Sequence, residues 1–408
     1  MFLIECVTEM SKQEFAYCIL ICAALTLGLF SIKLLIVLIP FFMVYNRKCG
    51  ITIEMSKTTA AVIIAFLVYS VCGVVFSEYV PNSLSFNIDL SVLLALYLLT
   101  GGKLYHTERQ KNILTYTFHG IVSAACVLCC LFYIAHQTAL TELGFTDMTD
   151  FKTSYRPLFM FCNNFATLIL CFLPIILITV VNTDNKKLRI WYIANFALCI
   201  FCLTTTYSRG IYLSIIVLFI LLVGSLLIFN RLPLKKVLIS ILTATFFSVA
   251  LSATNPAIRE SVTTTFSFNK TESQKRSFDS RVDKLSKYGA EFSIFGCGSG
   301  NFKILNLRKL TDYDTLISGS STNSFLQLYI ERGLFGIVFF VAITVLYLLK
   351  IRKKLFSGNI TAIVSTCGLA AVAVREVTFG SFTNVGGIVL MCFAMICLTL
   401  NTSKNEKQ

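Results

Sequence analysis

Runs of roughly 20 apolar residues recur along the whole chain, and each is long enough to cross the hydrocarbon of a bilayer. Read from one end to the other, the spans fall at 15–30, 33–45, 58–77, 86–100, 113–134, 159–181, 190–205, 210–229, 236–253, 333–349, 360–374 and 386–400. A backbone in lipid must satisfy its own hydrogen bonds, so continuous apolar runs of this kind imply helices. A membrane barrel would instead alternate apolar and polar residues. Of the 408 residues, 56% are hydrophobic and 14% charged, and mean hydropathy is +0.77. Soluble domains carry roughly 25% charged residues, so that class is excluded. The expected fold is an all-α polytopic membrane protein with about twelve transmembrane helices. The first two spans are separated only around Ser31 to Lys33, and fusing them into one tilted helix would leave eleven.

Charge orients the spans. With the N-terminus placed in the cytoplasm, the cytoplasmic segments hold 19 basic residues and the short loops opposite hold five: Lys33, Lys152, Arg156, Arg209 and Arg375. Positive loops stay inside, so twelve spans with both termini cytoplasmic fit best, and eleven would break the alternation. The remaining eleven basic residues lie in 254–332, a loop too long to count under that rule. The chain thus divides into 1–253 with nine spans and short loops, a large outside loop at 254–332, and 333–408 with three spans and a short tail. Residues 1–14 carry three acids and one Lys, with no small-residue cleavage site after them, so the first run reads as a retained helix.

The cysteines and histidines narrow the chemistry. The 16 cysteines do not form a disulfide framework, because most lie inside apolar runs, where a thiol behaves as a small hydrophobe. No Cys/His cluster has zinc spacing, and neither a metal nor a cofactor is expected. The three histidines, His106, His119 and His136, all lie in the first third. The net charge of +14 is scattered between spans, which suits anionic lipid and an anionic substrate better than nucleic acid.

Four polar features fall on the outside face. TTYSRG at 205–210 places Arg209 at the head of an apolar helix. Such a cation either snorkels to the interface or holds an anion, which a guanidinium can grip bidentately. A basic run from Lys275 to Lys287 includes Arg281, which borders the apolar side of a helix expected over 280–292. IFGCGSGNF at 294–302 is either a turn or a phosphate-cradling loop, and no P-loop Lys follows it. It precedes STNSFLQLYIERGLFG at 321–336, where a helix starts near Thr322 and runs into the tenth span. Arg375-Glu376 sits just after the eleventh span, as an interfacial anchor or as a cation and carboxylate for a cavity.

The order of these motifs resembles the O-antigen ligase and O-antigen polymerase family. TTYSRG opens a helix, a long outside loop carries Arg281, and FGCGSGNF and TNSFLQLYIERGLFG follow. CNNFATLILCFLP at 162–174 looks like that family's Asn-containing motif, so the resemblance covers roughly residues 160–400. It implies a GT-C-like membrane glycosyltransferase of the bacterial inner membrane, working on the periplasmic face. Its donor is then an undecaprenyl-pyrophosphate-linked oligosaccharide, and its partners are membrane lipid and a chain-length regulator. Family arginines match Arg209 and Arg281, implied to hold the pyrophosphate. Ligases carry a His-Asn pair where this chain has Thr322-Asn323, and no His follows residue 136. That departure favours a polymerase joining repeat units over a ligase transferring finished glycan to lipid A-core. A related capsule or exopolysaccharide polymerase and a flippase rank below. Glu331, Glu376 or Asp279 is then left as a base, and Arg156, Asn164, Thr322, Asn323 and Arg375 as substrate-binding residues. On this reading Thr322 caps the helix and Asn323 holds a sugar hydroxyl.

Overall fold

The computed structural model describes residues 11–49, 57–100, 105–142, 157, 162–229 and 323–378, with scattered single-residue gaps. It also describes parts of 235–250, 294–301 and 391–397. Among the described residues there is no strand. The helices are α1 (Lys12–Phe30), α2 (Ile39–Cys49), α3 (Lys57–Val75), α4 (Val80–Thr100) and α5 (Glu108–Glu142). They continue as α6 (Cys162–Asn182), α7 (Lys186–Thr205), α8 (Arg209–Phe229), α9 (Ser324–Phe356) and α10 (Ile360–Thr378). Seven stretches among the described residues are long and apolar enough to cross a membrane, one in each helix from α4 to α10. The chain is a multi-pass all-α membrane protein.

Local chemistry sets the helix starts. Ser11 and Glu14 form a reciprocal capping box that begins α1: Ser11 Oγ accepts from Glu14 N–H at 3.2 Å, and Glu14 Oε2 accepts from Ser11 N–H at 3.0 Å. Asn185 begins α7, its side chain accepting from the N–H of Lys187 and Leu188. At Ser31 the backbone is extended, with φ −162° and ψ 132°. A 3-10 segment, Ile32–Leu38, then leads into α2, and both pack back on α1. The chain therefore reverses at Ser31, and residues 15–45 do not form one long tilted helix.

α6 is the hub. Its residues are buried almost throughout, and it packs against α5, α7, α8 and α10. Pro174 lies inside it, facing Gly368 of α10 so closely that a Cβ at residue 368 would collide with the proline ring. α10 runs antiparallel to α6 and also packs on α8 and α9. The ends of four helices therefore meet at one end of the bundle: the starts of α6, α8 and α9 and the finish of α10.

α9 is one helix in outline with a break inside. Gly333 has φ 63° and ψ −163°, outside the helical region and open to glycine without a Cβ penalty. The break deprives the preceding carbonyls of their usual partners, and buried carbonyls need new ones. The FGCGSG turn supplies them. Cys297 N–H donates to Ile330 O at 2.9 Å and Gly298 N–H to Glu331 O at 3.0 Å, while the Tyr69 hydroxyl donates to Arg332 O. Gly296, with φ 75°, lies so close that a Cβ there would run into the Glu331 carbonyl.

Candidate functional site

Arg375 and Glu376 occupy the last turn of α10 and are 2% and 0% exposed. A buried guanidinium needs acceptors, and two neighbouring helix starts provide them. Arg375 Nη2 donates to Asn163 Oδ1 at 3.3 Å and to Ser208 Oγ at 3.1 Å. Ser208 Oγ in turn donates to Asn163 Oδ1 at 2.7 Å. Asn163 comes from the CNNF motif and Ser208 from the YSRG motif. On the α9 side, Ser324 Oγ donates to Glu376 Oε2. One dipeptide thus ties together three segments that lie far apart in sequence.

The start of α9 is capped by Asn323, one residue later than the Thr322 expected from sequence. Asn323 is extended, with φ −152° and ψ 116°, and its Oδ1 accepts from Phe325 N–H at 2.8 Å and Leu326 N–H at 3.2 Å. Those are the donors an N-cap side chain satisfies, and an amide oxygen does so as well as a hydroxyl. Thr322 lies outside the described residues. So do Arg156, Asp279, Arg281, the helix expected over 280–292 and most of the loop 254–332. Arg209 is the first residue of α8, next to Ser208, and its side chain is likewise outside the described residues.

The two candidate carboxylates separate. Glu331 is buried on α9, seven residues beyond Ser324, which is about 10 Å along a helix. Gln327 Nε2 donates to its Oε1 at 2.9 Å, and the FGCGSG turn takes its backbone carbonyl. Glu331 thus belongs to the broken-helix joint, and Glu376 to the helix-end cluster. Within the glycine motif, the N–H groups of Cys297 and Gly298 are engaged with α9, which favours the turn over the phosphate cradle. Asn164, one residue past Asn163, is buried, and its Oδ1 has no hydrogen-bond partner among the described residues.

Three residues of the cluster carry no individual signal in the sequence. Asn163, Ser208 and Ser324 are common polar residues at helix starts. The hint available was position: each adjoins a residue already singled out, Asn164, Arg209 and Asn323 respectively.

A cavity of about 320 Å³ lies at the opposite end of the bundle. Its rim holds Lys111 of α5, Asn182 at the end of α6, Asp184, and Thr361 at the start of α10. Because α6 and α10 are antiparallel, this cavity and the Arg375 cluster sit a full helix length apart. His119 lies toward the cavity end, fully buried. Its Nε2 is 2.7 Å from Thr179 Oγ1 and its Nδ1 is 3.0 Å from Asn195 Nδ2.

The fold and the cluster define a class: a multi-pass helical membrane protein that gathers a cation, a carboxylate and neutral polar groups at one end of its bundle. A family model described as O-antigen ligase matches residues 194–341, from within α7 into α9. Over those residues the chain is similar to the O-antigen ligase family, which supports the resemblance read from the sequence motifs. No curated protein matches the chain.

Proposed function

We propose that this chain is a glycan polymerase that joins undecaprenyl-pyrophosphate-linked oligosaccharide repeat units. In this reading it acts at the periplasmic face of the inner membrane, with both termini cytoplasmic. The observation that carries the reading is the convergence of Asn163, Ser208, Ser324, Arg375 and Glu376 at one end of the bundle. Ionisable groups buried within a membrane protein are expensive, so their gathering calls for a function.

The charges fit the reaction. A pyrophosphate leaving group gains negative charge as the glycosidic bond breaks, and a fixed guanidinium stabilises that charge without reorganising. Arg375 is held by two acceptors, and Arg209 starts the next helix, one residue from Ser208. Arg281 and Arg156 complete the cationic set proposed for the pyrophosphate and its sugar. The orphan acceptor on Asn164 suits a sugar hydroxyl donor. A chain-length regulator is the proposed protein partner.

Polymerase ranks above ligase because position 322 is Thr and the chain has no His beyond residue 136. His119 is enclosed by Thr179 and Asn195, far along α6 from Asn163. The ligase reading is supported by the family model that matches residues 194–341, which is described as O-antigen ligase. Deleting the gene and separating the lipopolysaccharide on a gel tests both. A ladder lost down to a single repeat on core supports the polymerase. Bare core with accumulating lipid-linked polymer means a ligase, and an unchanged ladder contradicts both.

A further inference from the structure

We propose that Ser324 and Glu376 form a proton relay for the sugar hydroxyl that attacks the donor, with Ser324 as the catalytic residue that touches it and Glu376 as the final proton acceptor. This rests on the glycan-transfer reading above.

The geometry assigns the roles. Ser324 Oγ–H already points at Glu376 Oε2. Glu376 is fully enclosed, whereas Ser324 is 9% exposed and stands in the first turn of α9. A substrate at the helix ends therefore meets the hydroxyl before the carboxylate. A serine hydroxyl alone is a poor base near neutral pH, and a carboxylate behind it removes that difficulty. Asn323 Oδ1 accepts from the Phe325 and Leu326 N–H groups and its carbonyl accepts from Gln327 N–H, and the start of α9 puts the positive end of the helix dipole beside the reacting oxygens. Arg375, adjacent to Glu376, is anchored toward α6 and α8, on the other side of the carboxylate from α9. The cation for the leaving group and the acceptor for the proton are thus neighbours in sequence on different faces of one helix turn.

The step balances. The acceptor hydroxyl loses its proton to Ser324 Oγ as Ser324 passes its own to Glu376. The acceptor oxygen bonds to the anomeric carbon, and the bond from that carbon to the phosphate oxygen breaks. The electron pair leaves with the undecaprenyl pyrophosphate. Glu376 ends protonated and Ser324 ends as a hydroxyl, and the proton then passes to solvent or to the departing pyrophosphate.

A merely structural Ser324–Glu376 bond would fasten α9 to α10 and nothing more, so the test must read chemistry. The purified chain in nanodiscs is given undecaprenyl-pyrophosphate-linked single repeats, and kcat and KM are measured separately per unit of folded protein. Glu376→Gln keeps the shape and an acceptor oxygen for Ser324 but cannot take a proton. It is expected to lower kcat about 100-fold or more, with KM within a few-fold, and Glu376→Asp to restore part of kcat. Ser324→Ala should match Glu376→Gln, and Ser324→Thr, which keeps the hydroxyl, should regain most of the rate. The wild-type kcat should slow about twofold in D2O if proton transfer shares the rate-limiting step. A folded Glu376→Gln within about threefold of the wild-type kcat overturns the relay. Should that variant not fold, equal kcat in Ser324→Ala and Ser324→Thr overturns it instead. In both cases wild-type turnover leaves the glycan-transfer reading standing. A wild-type chain that does not consume the lipid-linked repeats removes that reading and the relay with it.

Discussion

Two buried arginines in this protein are held by the same pair of side-chain types. Arg375 donates to Asn163 and Ser208, and Arg332 donates to Asn87 Oδ1 and Ser70 Oγ, each at 3.1 Å. Their settings differ. Arg375 sits where four helix ends meet, beside a carboxylate and next to a helix start that offers dipole and hydroxyl. Arg332 lies mid-helix, its guanidinium over the Phe66 ring at 5.2 Å and its carbonyl accepting from Tyr69. The carbonyls just before it are taken by the FGCGSG turn. That turn is itself pinned by Asn301, whose Nδ2 reaches Ser77 Oγ at 2.6 Å and Cys297 O at 3.0 Å. The same chemistry thus closes a broken helix in one place and gathers a cation, a carboxylate and hydroxyls at helix ends in the other. Position along the helix, more than residue type, separates the scaffold joint from the proposed site.

Substitutions at the two arginines sharpen this contrast. Arg375→Ala is expected to lower the lengthening of lipid-linked repeats about 100-fold or more while most of the protein remains folded in detergent. Arg375→Lys should recover little, because an ammonium cannot make the planar, forked contact. Arg332→Ala is expected to act on stability instead. It removes two charge-assisted bonds and leaves buried Ser70 and Asn87 to find new partners, at roughly 3 kcal/mol. Thermal melts of the two variants, normalised to folded protein, should move in opposite order to their activities.

Smaller effects test the joint and the cap. Gly296→Ala places a Cβ against the Glu331 carbonyl at a positive φ, and should cost about 1–3 kcal/mol. Tyr69→Phe deletes the donor to Arg332 O and should cost about 1 kcal/mol. Asn323→Ala should also cost about 1 kcal/mol, and Asn323→Ser or Asn323→Asp should restore most of it. If Asn323→Ser restores stability but not activity, the amide contacts the sugar as well as capping the helix. If both return together, the cap is the whole role.

Much of the fold was legible because apolar length is a strong signal. The runs at 113–134, 159–181, 190–205 and 210–229 lie within or closely overlap α5, α6, α7 and α8. The Ser31 reversal was less visible, since two polar residues, Ser31 and Lys33, between two apolar runs fit both a bent helix and a hairpin. At the site, Arg375 and Glu376 could be marked because charge at a membrane edge is conspicuous. Asn163, Ser208 and Ser324 could not, since only the packing of α6, α8 and α9 around α10 gives them meaning. The glycine motif was ambiguous for a related reason. Its N–H groups serve either a phosphate or a broken helix, and the break at Gly333 lies more than 30 residues away. The cap shifted by one residue because Thr322 and Asn323 are both good N-caps and their order does not choose between them.

In the proposed mechanism the helix-end cluster, and not the Arg332 joint, meets the lipid pyrophosphate. Equilibrium binding of undecaprenyl pyrophosphate to purified, folded protein distinguishes the two places. The affinity of Arg375→Ala should fall about tenfold or more, as expected when a charge-assisted contact is lost. Asn87→Ala, which disturbs only the joint, should bind as the wild type does. Unchanged affinity in Arg375→Ala together with a marked loss in Asn87→Ala would contradict the account and move the anion site to Arg332.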